Sequence, residues 1–497
     1  MQWNQLLSAF RLGEEIRLPY DELKYPMSEF EKDYWRIISS ASFRRLQDKT
    51  QVFPLDSSDF VRTRLTHSYE TSSLSRQLTT MITENIVRYH SDTAYKITSQ
   101  EARTAAEISA CAGLLHDVGN PPFGHFGEEV IGAWFQENLH RFDYRGKPIC
   151  DLLTNGMKKD LFYFEGNAQA VRLLTKLHFL DSDKGLNLTS AVLHTLVKYP
   201  TSSSFFSVGD EDIKNHKFGY FESEKNEMER IAKAVGTDLK DGGCRHPLTF
   251  ILEAADDIAY ATADLEDGYK KGLFSIDMIV DFFNAQLKAM KNKGKVNDDQ
   301  YDKSTRLITE LISLRKKFRK QHKVVQTTDL LAFQNWISFV RHWLLYAAAF
   351  GFTEQQTYIK IMEGSCKNDI FHGTFHYGSI QILKKATAKF IFSERGILKL
   401  ELAAQSILNS LLEKYVPAVI YFDEENAPHK SDRYTQTKAQ KKMTDLISQN
   451  QKENYMREKT KDTTHNLYLR LLLATDYISG MTDSFAKNQY RELSGIY

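Results

Sequence analysis

Cysteine, proline and long apolar runs are all scarce in this sequence. The four cysteines among 497 residues form no CxxC pair, which argues against a zinc knuckle and against a disulfide framework. No stretch approaches the roughly 20 apolar residues of a membrane span, and the first residues lack the basic and apolar regions of a secretory signal. We therefore expect a cytoplasmic protein that has no membrane partner.

An excess of either charge is missing as well. The 65 basic and 64 acidic residues give a formal net charge of +1, so no global field favours binding to a nucleic acid or a membrane. The local exception is Arg315–Lys323, a basic run. It predicts either contact with a nucleic acid or nucleotide effector or, more often, a solvated helix face.

Helical periodicity dominates what the sequence does contain. Only 10 prolines occur, and alternating strand-like runs are scarce. Apolar residues recur instead at helical spacing, as in Thr104–Leu115, Glu128–Leu139, Ala168–Leu177 and Leu398–Tyr415. The pattern predicts an all-α fold.

Two polar and charged segments, Lys291–Lys303 and Asn426–Thr464, are predicted to be loops or insertions. The first of them suggests where the chain divides. We expect a catalytic core at residues 1–290 and a helical C-terminal region at residues 291–497 that packs on it, so that the two form one continuous domain.

The most informative segment is Ala112–Glu128, in which an apolar helix ends in His116 and Asp117 and then enters a turn rich in glycine and proline. Consecutive helix residues point about 100° apart, so both side chains reach one ion most easily when that ion lies near the helix end. The break at Gly119–Pro122 supplies such an end. The sequence therefore predicts a metal site here.

Two other segments carry suitable side chains. His67 lies ahead of a predicted helix that runs through Ser73–Val87, so it can approach the metal from a second helix. Together with the residues at the helix end and one more carboxylate, it would form a mixed nitrogen and oxygen ligand set. Such a set suits Mn, Mg, Fe, Co, Ni or Zn rather than a metal selected by thiolates.

The further carboxylate is expected from Glu253–Asp264. Asp256, Tyr260 and Asp264 occur there at i, i+4 and i+8 and share one helical face. Spacing alone does not decide whether Asp256 or its neighbour Asp257 would bind the metal.

The order H…HD…D resembles the signature of the HD superfamily of metal phosphohydrolases, and within it the chain is similar to the bacterial deoxyguanosinetriphosphate triphosphohydrolases, or dGTPases. The blocks that carry the resemblance span nearly the whole chain: Phe43–Pro54, Arg62–Glu70, His116–Glu128, Phe164–Gln169, Val197–Pro200, Glu253–Asp264 and Asp476–Asp483. The resemblance implies a large helical HD-domain fold with a C-terminal helical extension. It also implies a symmetric homo-oligomer, often a hexamer.

Metal ligands are implied by the same resemblance. In the family, two histidines and two aspartates hold the metal, and they map onto His67, His116, Asp117 and a helix aspartate. The family's ligand aspartate has a tyrosine four residues on and an aspartate eight residues on, which selects Asp256. We expect one divalent ion, Mn or Mg before Fe, Co, Ni or Zn.

Substrate contacts are implied in the same way. Tyr260 and Asp264 are expected to contact the substrate, Arg64 and Lys198 to bind phosphate, and Gln51 to contact the sugar 3′-hydroxyl. The implied reaction is hydrolysis of dGTP to deoxyguanosine and inorganic tripolyphosphate, by attack of a metal-activated water on the α-phosphorus.

The departing 5′ oxygen needs a proton, which requires a titratable group beside the metal. His125, predicted to lie in a glycine-flanked loop, is the expected proton carrier, and Glu128 would raise its pKa and fix its tautomer. The family uses this His–Glu pair. The alternative is a histidine that braces the loop, followed by an acid at a helix N-terminus.

Other functions stay open at this point. A dNTPase of broader specificity or an HD phosphodiesterase would use the same ligands, although the latter often needs further histidines for a second metal. A regulatory protein that binds single-stranded nucleic acid through Arg315–Lys323 would use the same scaffold. The C-terminal block Asp476–Asp483 is predicted to be structural, with a helix break at Gly480.

Overall fold

The computed structural model describes residues 1–13, 27–55, 58–178, 184–206, 217–239, 243–321, 325–424 and 435–496. Within these ranges the regular structure is helical, apart from isolated bridges and one hairpin in which β1 (Asp143–Tyr144) pairs antiparallel with β2 (Lys147–Pro148). The prediction of an all-α fold is confirmed.

The described ranges contain helices of 4 to 29 residues. The earlier ones are α1 (Trp3–Leu6), α2 (Glu29–Ser39), α3 (Ala41–Arg45), α4 (Arg64–Tyr89), α5 (Ser99–Leu115), α6 (Gly124–Asn138), α7 (Ile149–Leu152), α8 (Asn155–Phe162), α9 (Gly166–Arg172), α10 (Ser190–Leu196) and α11 (Lys225–Val235). The later ones are α12 (Pro247–Lys270), α13 (Ile276–Asn292), α14 (Asp298–Gln321), α15 (Val325–Thr353), α16 (Gln355–Met362), α17 (Tyr377–Thr387), α18 (Arg395–Val419), α19 (Lys438–Asp445), α20 (Gln449–Glu458), α21 (Thr463–Ser479) and α22 (Asp483–Leu493). None of these described helices combines the length and the apolar character needed to cross a bilayer.

Three long helices, α4, α5 and α12, pack on one another and carry the predicted site. Side-chain caps set where they begin. Thr63 and Thr98 form capping boxes at the start of α4 and α5. At the start of α12, His246 Nδ1 accepts the Leu248 N–H, and proline occupies the first helical position.

The contact between α4 and α5 is close because α5 carries small residues along its packed face. Gly113 lies against the backbone of Ser72, where a Cβ atom would overlap the chain. This approach brings His67, in the first turns of α4, towards His116 at the end of α5.

Buried apolar side chains form two clusters. The first unites α1 to α5, α10 to α17 and part of α9, and the second joins α6 and α8 to α18 and the helices that follow it. The C-terminal region therefore contributes to both clusters. The predicted boundary between residues 290 and 291 falls within α13, and the division of the chain at that point stays a prediction.

Several predicted segments have different limits in the structure. The helix expected at Ser73–Val87 begins at Arg64, so it contains His67. The polar segments predicted as loops are largely helical: α13 and α14 leave only residues 293–297 between them, and α19 and α20 lie within the second segment. Part of that second segment, residues 426–434, lies outside the described residues. The helix break at Gly480 is confirmed, since α21 ends at Ser479.

Candidate active site

The site is built on the end of α5. The helix stops at Leu115, His116 is its C-cap, and a turn follows. His116 Nδ1 lies 2.9 Å from the Gly113 carbonyl oxygen and donates to it, which turns Nε2 towards the Asp117 and Asp256 carboxylates. In the same turn, Asn120 Nδ2 donates to Asp117 Oδ1 at 2.7 Å and orients that carboxylate.

Two further helices bring side chains to this point. His67 Nε2 of α4 and His116 Nε2 lie 3.2 and 3.4 Å from the same oxygen, Asp256 Oδ1 of α12. One ligand atom from each of these three residues lies within 4.8 Å of the other two. Asp117 Oδ2 is 3.4 Å from His116 Nε2. The structure therefore brings all four predicted ligands together.

Cations flank both carboxylates. Arg64 donates to Asp117 Oδ2 at 2.6 Å, and Lys198 Nζ lies 3.2 Å from Asp256 Oδ2. The Arg64 guanidinium occupies the space beside Gly124, where a Cβ atom would overlap it. The two residues predicted to bind phosphate thus each pair with one of the predicted ligand carboxylates.

The electrostatics of the site favour a bound cation. Burial lowers the pKa of His116, but Asp117 and Asp256 outweigh it and raise this pKa to about 10. Burial disfavours the charged carboxylates, yet the pKa of Asp117, beside Arg64, and that of Asp256, beside His116, stay well below their usual range. The two carboxylates thus stay ionised and attract positive charge, which is the environment that a divalent ion requires.

The donor atoms fit a metal as well. His116 Nε2 is buried, and apart from its 3.4 Å approaches to the Asp117 and Asp256 carboxylates it makes no hydrogen bond within the described residues. An imidazole whose other nitrogen donates to a carbonyl, as in His116, is the usual form of a metal-binding histidine. Across the described ranges, His67, His116 and Asp256 make up the one group of three or more His, Cys, Asp or Glu side chains that converges this closely.

The neighbouring aspartate has different surroundings. Asp257 Oδ1 forms an ion pair with Lys384 Nζ of α17 at 2.6 Å, on the side of α12 away from the histidines. Of the two aspartates that spacing left open, it is Asp256 that faces the site.

His125 and Glu128 form a pair at the start of α6. His125 Nδ1 lies 3.1 Å from Glu128 Oε2, and Glu128 raises the pKa of the imidazole through its charge and this hydrogen bond. The side chain of His125 is 68% exposed and that of Glu128 only 6%. The prediction of a loop was wrong for His125, which is the second residue of a helix, because a left-handed Phe123 and Gly124 start the helix directly after the turn.

Tyr260 and Asp264 continue the same face of α12. Burial and the Asp264 charge raise the pKa of Tyr260. Asp264 is 1% exposed, and neither of its carboxylate oxygens has a hydrogen-bond partner. Burial, with Asp267 nearby, raises the pKa of Asp264 well above its usual range. A buried carboxyl group without a hydrogen-bond partner lowers the free energy of unfolding, so its presence calls for an explanation such as a bound ligand.

Gln51 lies next to the start of α4, because Thr50 and Thr63 pair as an isolated antiparallel bridge. Its Oε1 atom is also buried and has no partner. The roles predicted for Gln51, Tyr260 and Asp264 stay predictions.

Some residues around the site were not predicted from the sequence. Lys217 Nζ pairs with Glu165 Oε2 at 2.6 Å and lies 3.9 Å from Glu128 Oε2. Glu165 belongs to a block that resembles the family's pocket, whereas Lys217 follows no motif. Lys49 and Asp483 also reach the turn that follows α5. Both lie in blocks that carry the family resemblance, Phe43–Pro54 and Asp476–Asp483, but the sequence predicted no role for either residue at the site.

The basic run Arg315–Lys323 is largely the end of α14. Arg315 and Arg319 both form ion pairs with Asp329, at 2.9 and 3.0 Å. His322 and Lys323 lie outside the described residues. Part of the positive charge in this run is therefore already compensated within the chain.

Known proteins resemble the chain along its whole length. A family model described as an HD domain matches residues 64–153. A "Deoxyguanosinetriphosphate triphosphohydrolase-like protein" of Listeria monocytogenes is 42% identical over 500 residues and covers 100% of both chains. Proteins of the same name from Synechocystis and Pseudomonas aeruginosa are 31% and 33% identical, over 100% of this chain and 100% and 99% of theirs. The chain therefore belongs to the deoxyguanosinetriphosphate triphosphohydrolase-like family of HD-domain phosphohydrolases.

Proposed function

We propose that this phosphohydrolase cleaves dGTP to deoxyguanosine and inorganic tripolyphosphate. The observation that carries the proposal is the convergence of His67, His116 and Asp256 within 4.8 Å, with Asp117 adjacent and two cations beside the carboxylates. A site with these donors can hold one divalent ion, Mn or Mg, and an anionic phosphate next to it. The guanine base follows from the similarity to relatives named deoxyguanosinetriphosphate triphosphohydrolase-like proteins.

A divalent ion at this site would polarise a phosphoryl oxygen and lower the pKa of a bound water. The side chains of the chain supply the remaining functions. Arg64 and Lys198 face the carboxylates, so each can also bind a phosphate oxygen that lies between them. Their positions would orient the α-phosphate towards the metal held by His67, His116, Asp117 and Asp256.

His125 is proposed to carry the proton that the departing 5′ oxygen requires. Its exposed imidazole can reach a bound nucleotide, and Glu128 holds Nδ1, so Nε2 is the nitrogen free to donate. The raised pKa of His125 increases the protonated fraction near neutral pH.

The nucleoside would lie along α12 and the Gln51 segment. Asp264 and Gln51 both offer buried oxygen atoms without partners, and substrate hydroxyl groups can satisfy them. The raised pKa of Asp264 favours its protonated form, which can also donate a hydrogen bond. Tyr260 would stack on or hydrogen-bond to the sugar.

Product identification tests the proposal directly. The purified protein is incubated with dGTP and Mn or Mg, and the phosphate products are separated by ion chromatography, with a chelator-treated sample as control. Tripolyphosphate and deoxyguanosine in equal amounts are expected only with the metal. Release of dGMP and pyrophosphate would mean that the bond between the α- and β-phosphates breaks instead of the bond to the 5′ oxygen, and release of dGDP and orthophosphate would mean attack at the γ-phosphorus. Either result would contradict the proposal.

The same assay with all four dNTPs separates a dGTPase from a dNTPase of broader specificity. A two-metal phosphodiesterase would bind two ions per chain, against the single group of ligands in the described ranges. A homo-oligomer, a single-stranded nucleic-acid effector and a cytoplasmic location stay predictions.

A further inference from the structure

We propose that Asp483, the first residue of α22, is a positioning residue for the reaction. Its carboxylate holds the segment that carries Gln51 and the segment that carries His125 in fixed relative positions. The inference rests on the proposed function for the roles of Gln51 and His125.

Both oxygens of Asp483 are used in this arrangement. Oδ2 accepts the Thr50 N–H at 2.9 Å and also the Thr50 hydroxyl, and Oδ1 accepts the Phe123 N–H at 2.9 Å. The residue is 2% exposed, so water does not compete for these contacts. One carboxylate therefore joins two segments that no secondary structure connects.

Each contact lies beside a residue of the predicted site. Thr50 directly precedes Gln51, and Phe123 stands two positions before His125. Phe123 has φ 65°, in the left-handed region that bulky residues rarely adopt, and Gly124 follows with φ 64°. Such a conformation persists only when the surrounding contacts hold it. The bond from the Phe123 N–H to Asp483 is a contact of this kind. It fixes the position of the first turn of α6, which carries His125.

Lys49 makes a second connection between the same parts of the chain. Its Nζ atom donates to the carbonyl oxygens of Ser479, at the end of α21, and Asn120, at 2.9 and 2.5 Å. Asn120 in turn orients Asp117. The end of α21 and the start of α22 thus both connect to the turn after α5, through Lys49 and through Asp483. We therefore expect the C-terminal region to affect activity without contacting the predicted metal ligands.

The chemistry of the contacts requires an aspartate at this position. All three partners are donors, so both side-chain oxygens must accept. In Asp483→Asn one oxygen becomes an NH2 group that faces an N–H, and a buried donor loses its acceptor. The size of the side chain is unchanged, so packing around α22 is retained.

The test compares Asp483→Asn with Asn488→Ala. Asn488 lies on the same helix with an exposed side chain, away from the bonds to Thr50 and Phe123. Since a displacement of about 1 Å can cost on the order of 10²-fold in rate, we expect kcat for dGTP to fall by about 10- to 100-fold in Asp483→Asn, with bound metal unchanged. Asn488→Ala should keep the wild-type kcat.

Two further measurements separate positioning from a general structural defect. In a Gln51→Ala background the effect of Asp483→Asn should shrink, because coupled residues are not additive. Amide hydrogen exchange should accelerate in the peptides around Thr50 and Phe123 and not in α21. Thr50→Val, which removes only the hydroxyl contact, should lower kcat in the same direction by less, and it replaces Asp483→Asn if that variant does not fold.

Wild-type kcat and wild-type exchange in Asp483→Asn would overturn the proposal, and so would full additivity with Gln51→Ala. If the wild-type protein hydrolyses no dNTP, the proposed function fails. Hydrogen exchange in Asp483→Asn then still decides whether this carboxylate holds the two segments.

Discussion

At the scale of single residues, adjacent side chains on α12 have opposite surroundings. Asp256 faces the two histidines of the site, and Asp257 pairs with Lys384. Helical geometry separates neighbours by about 100°, so one of them can bind a metal while the other cannot reach it.

This difference gives a matched pair of variants. Asp256→Asn should weaken Mn binding at least about 10- to 100-fold, the loss that follows from removing even an outer partner of a metal ligand. Asp257→Asn should bind Mn as the wild type does. Titration calorimetry with Mn measures both affinities, and equal losses in the two variants would contradict the assignment of Asp256.

A second prediction concerns the pH dependence of turnover. Glu128 raises the pKa of His125, so Glu128→Gln should lower that pKa. If the imidazolium donates the proton, kcat is high below this pKa and falls above it. The basic limb of the kcat–pH profile should therefore move to lower pH in Glu128→Gln, and it should not move in Glu129→Gln, whose side chain is exposed on the same helix.

Removal of the imidazole gives the complementary result. His125→Gln should lower kcat by about 10²- to 10⁴-fold, the usual contribution of a proton-transferring group, while the bound metal stays constant. Metal analysis of the same samples checks the second point. Loss of metal in this variant would mean that His125 is itself a ligand.

At the scale of helices, α12 depends on a histidine cap. His246 Nδ1 accepts the Leu248 N–H, so Nε2 carries the hydrogen and lies 3.0 Å from the Leu6 carbonyl oxygen. Only the neutral ring makes both contacts. Burial lowers the pKa of His246 to about 4, which agrees with this tautomer.

The cap predicts that acid destabilises the helix that carries Asp256. An unfolded histidine takes up a proton near pH 6.5, whereas folded His246 does so only near pH 4. Stability is therefore full above pH 6.5 and is lost as the pH falls towards 4, by about 2 kcal/mol at pH 5. His246→Asn keeps a capping group without titration, so urea unfolding at pH 7.5 and 5 should show a smaller loss for this variant. Equal losses would contradict the cap.

Periodicity predicts helices such as α4 and α5 well, because their apolar faces repeat along the chain. It does not predict their first residues. The capping box at Thr63 and the left-handed conformation of Phe123 depend on local backbone geometry. They start α4 and α6 earlier than predicted, so His67 and His125 lie within helices and not in the flanking segments. The ligand types were predictable, since His116 and Asp117 are adjacent at a visible helix end.

At the scale of the whole molecule, a buried ion network joins the two apolar clusters. Arg172 of α9 contacts Asp476 of α21 at 2.8 Å, Glu224 at 2.9 Å and Glu458 at 3.5 Å, and its side chain is 2% exposed. Sequence spacing did not reveal this network, because its members are up to 304 positions apart.

Removing the Arg172 guanidinium should therefore lower the free energy of unfolding. Arg172→Ala leaves the buried Asp476 carboxylate with the neutral amide of Gln169 as its hydrogen-bond donor, while Glu224 and Glu458 keep Lys176. The loss of one partner from a buried ion pair typically costs about 3–5 kcal/mol. Arg141, which pairs with Glu413 at the surface with side chains 51% and 42% exposed, provides the control, and its loss should cost about 0–1 kcal/mol. Thermal unfolding measures both, and similar shifts would contradict a structural role for the network.

The contacts of Asp483 also set an order of events during protein synthesis. Phe123 and Asp483 are 360 positions apart, so at about 5–20 residues per second roughly 20–70 s pass between their emergence from the ribosome. A growing chain acquires His67, His116 and Asp256 well before the carboxylate that fixes Gln51 and His125. The segments of Thr50 and Phe123 can therefore be joined by this carboxylate only after nearly the whole chain has been synthesised.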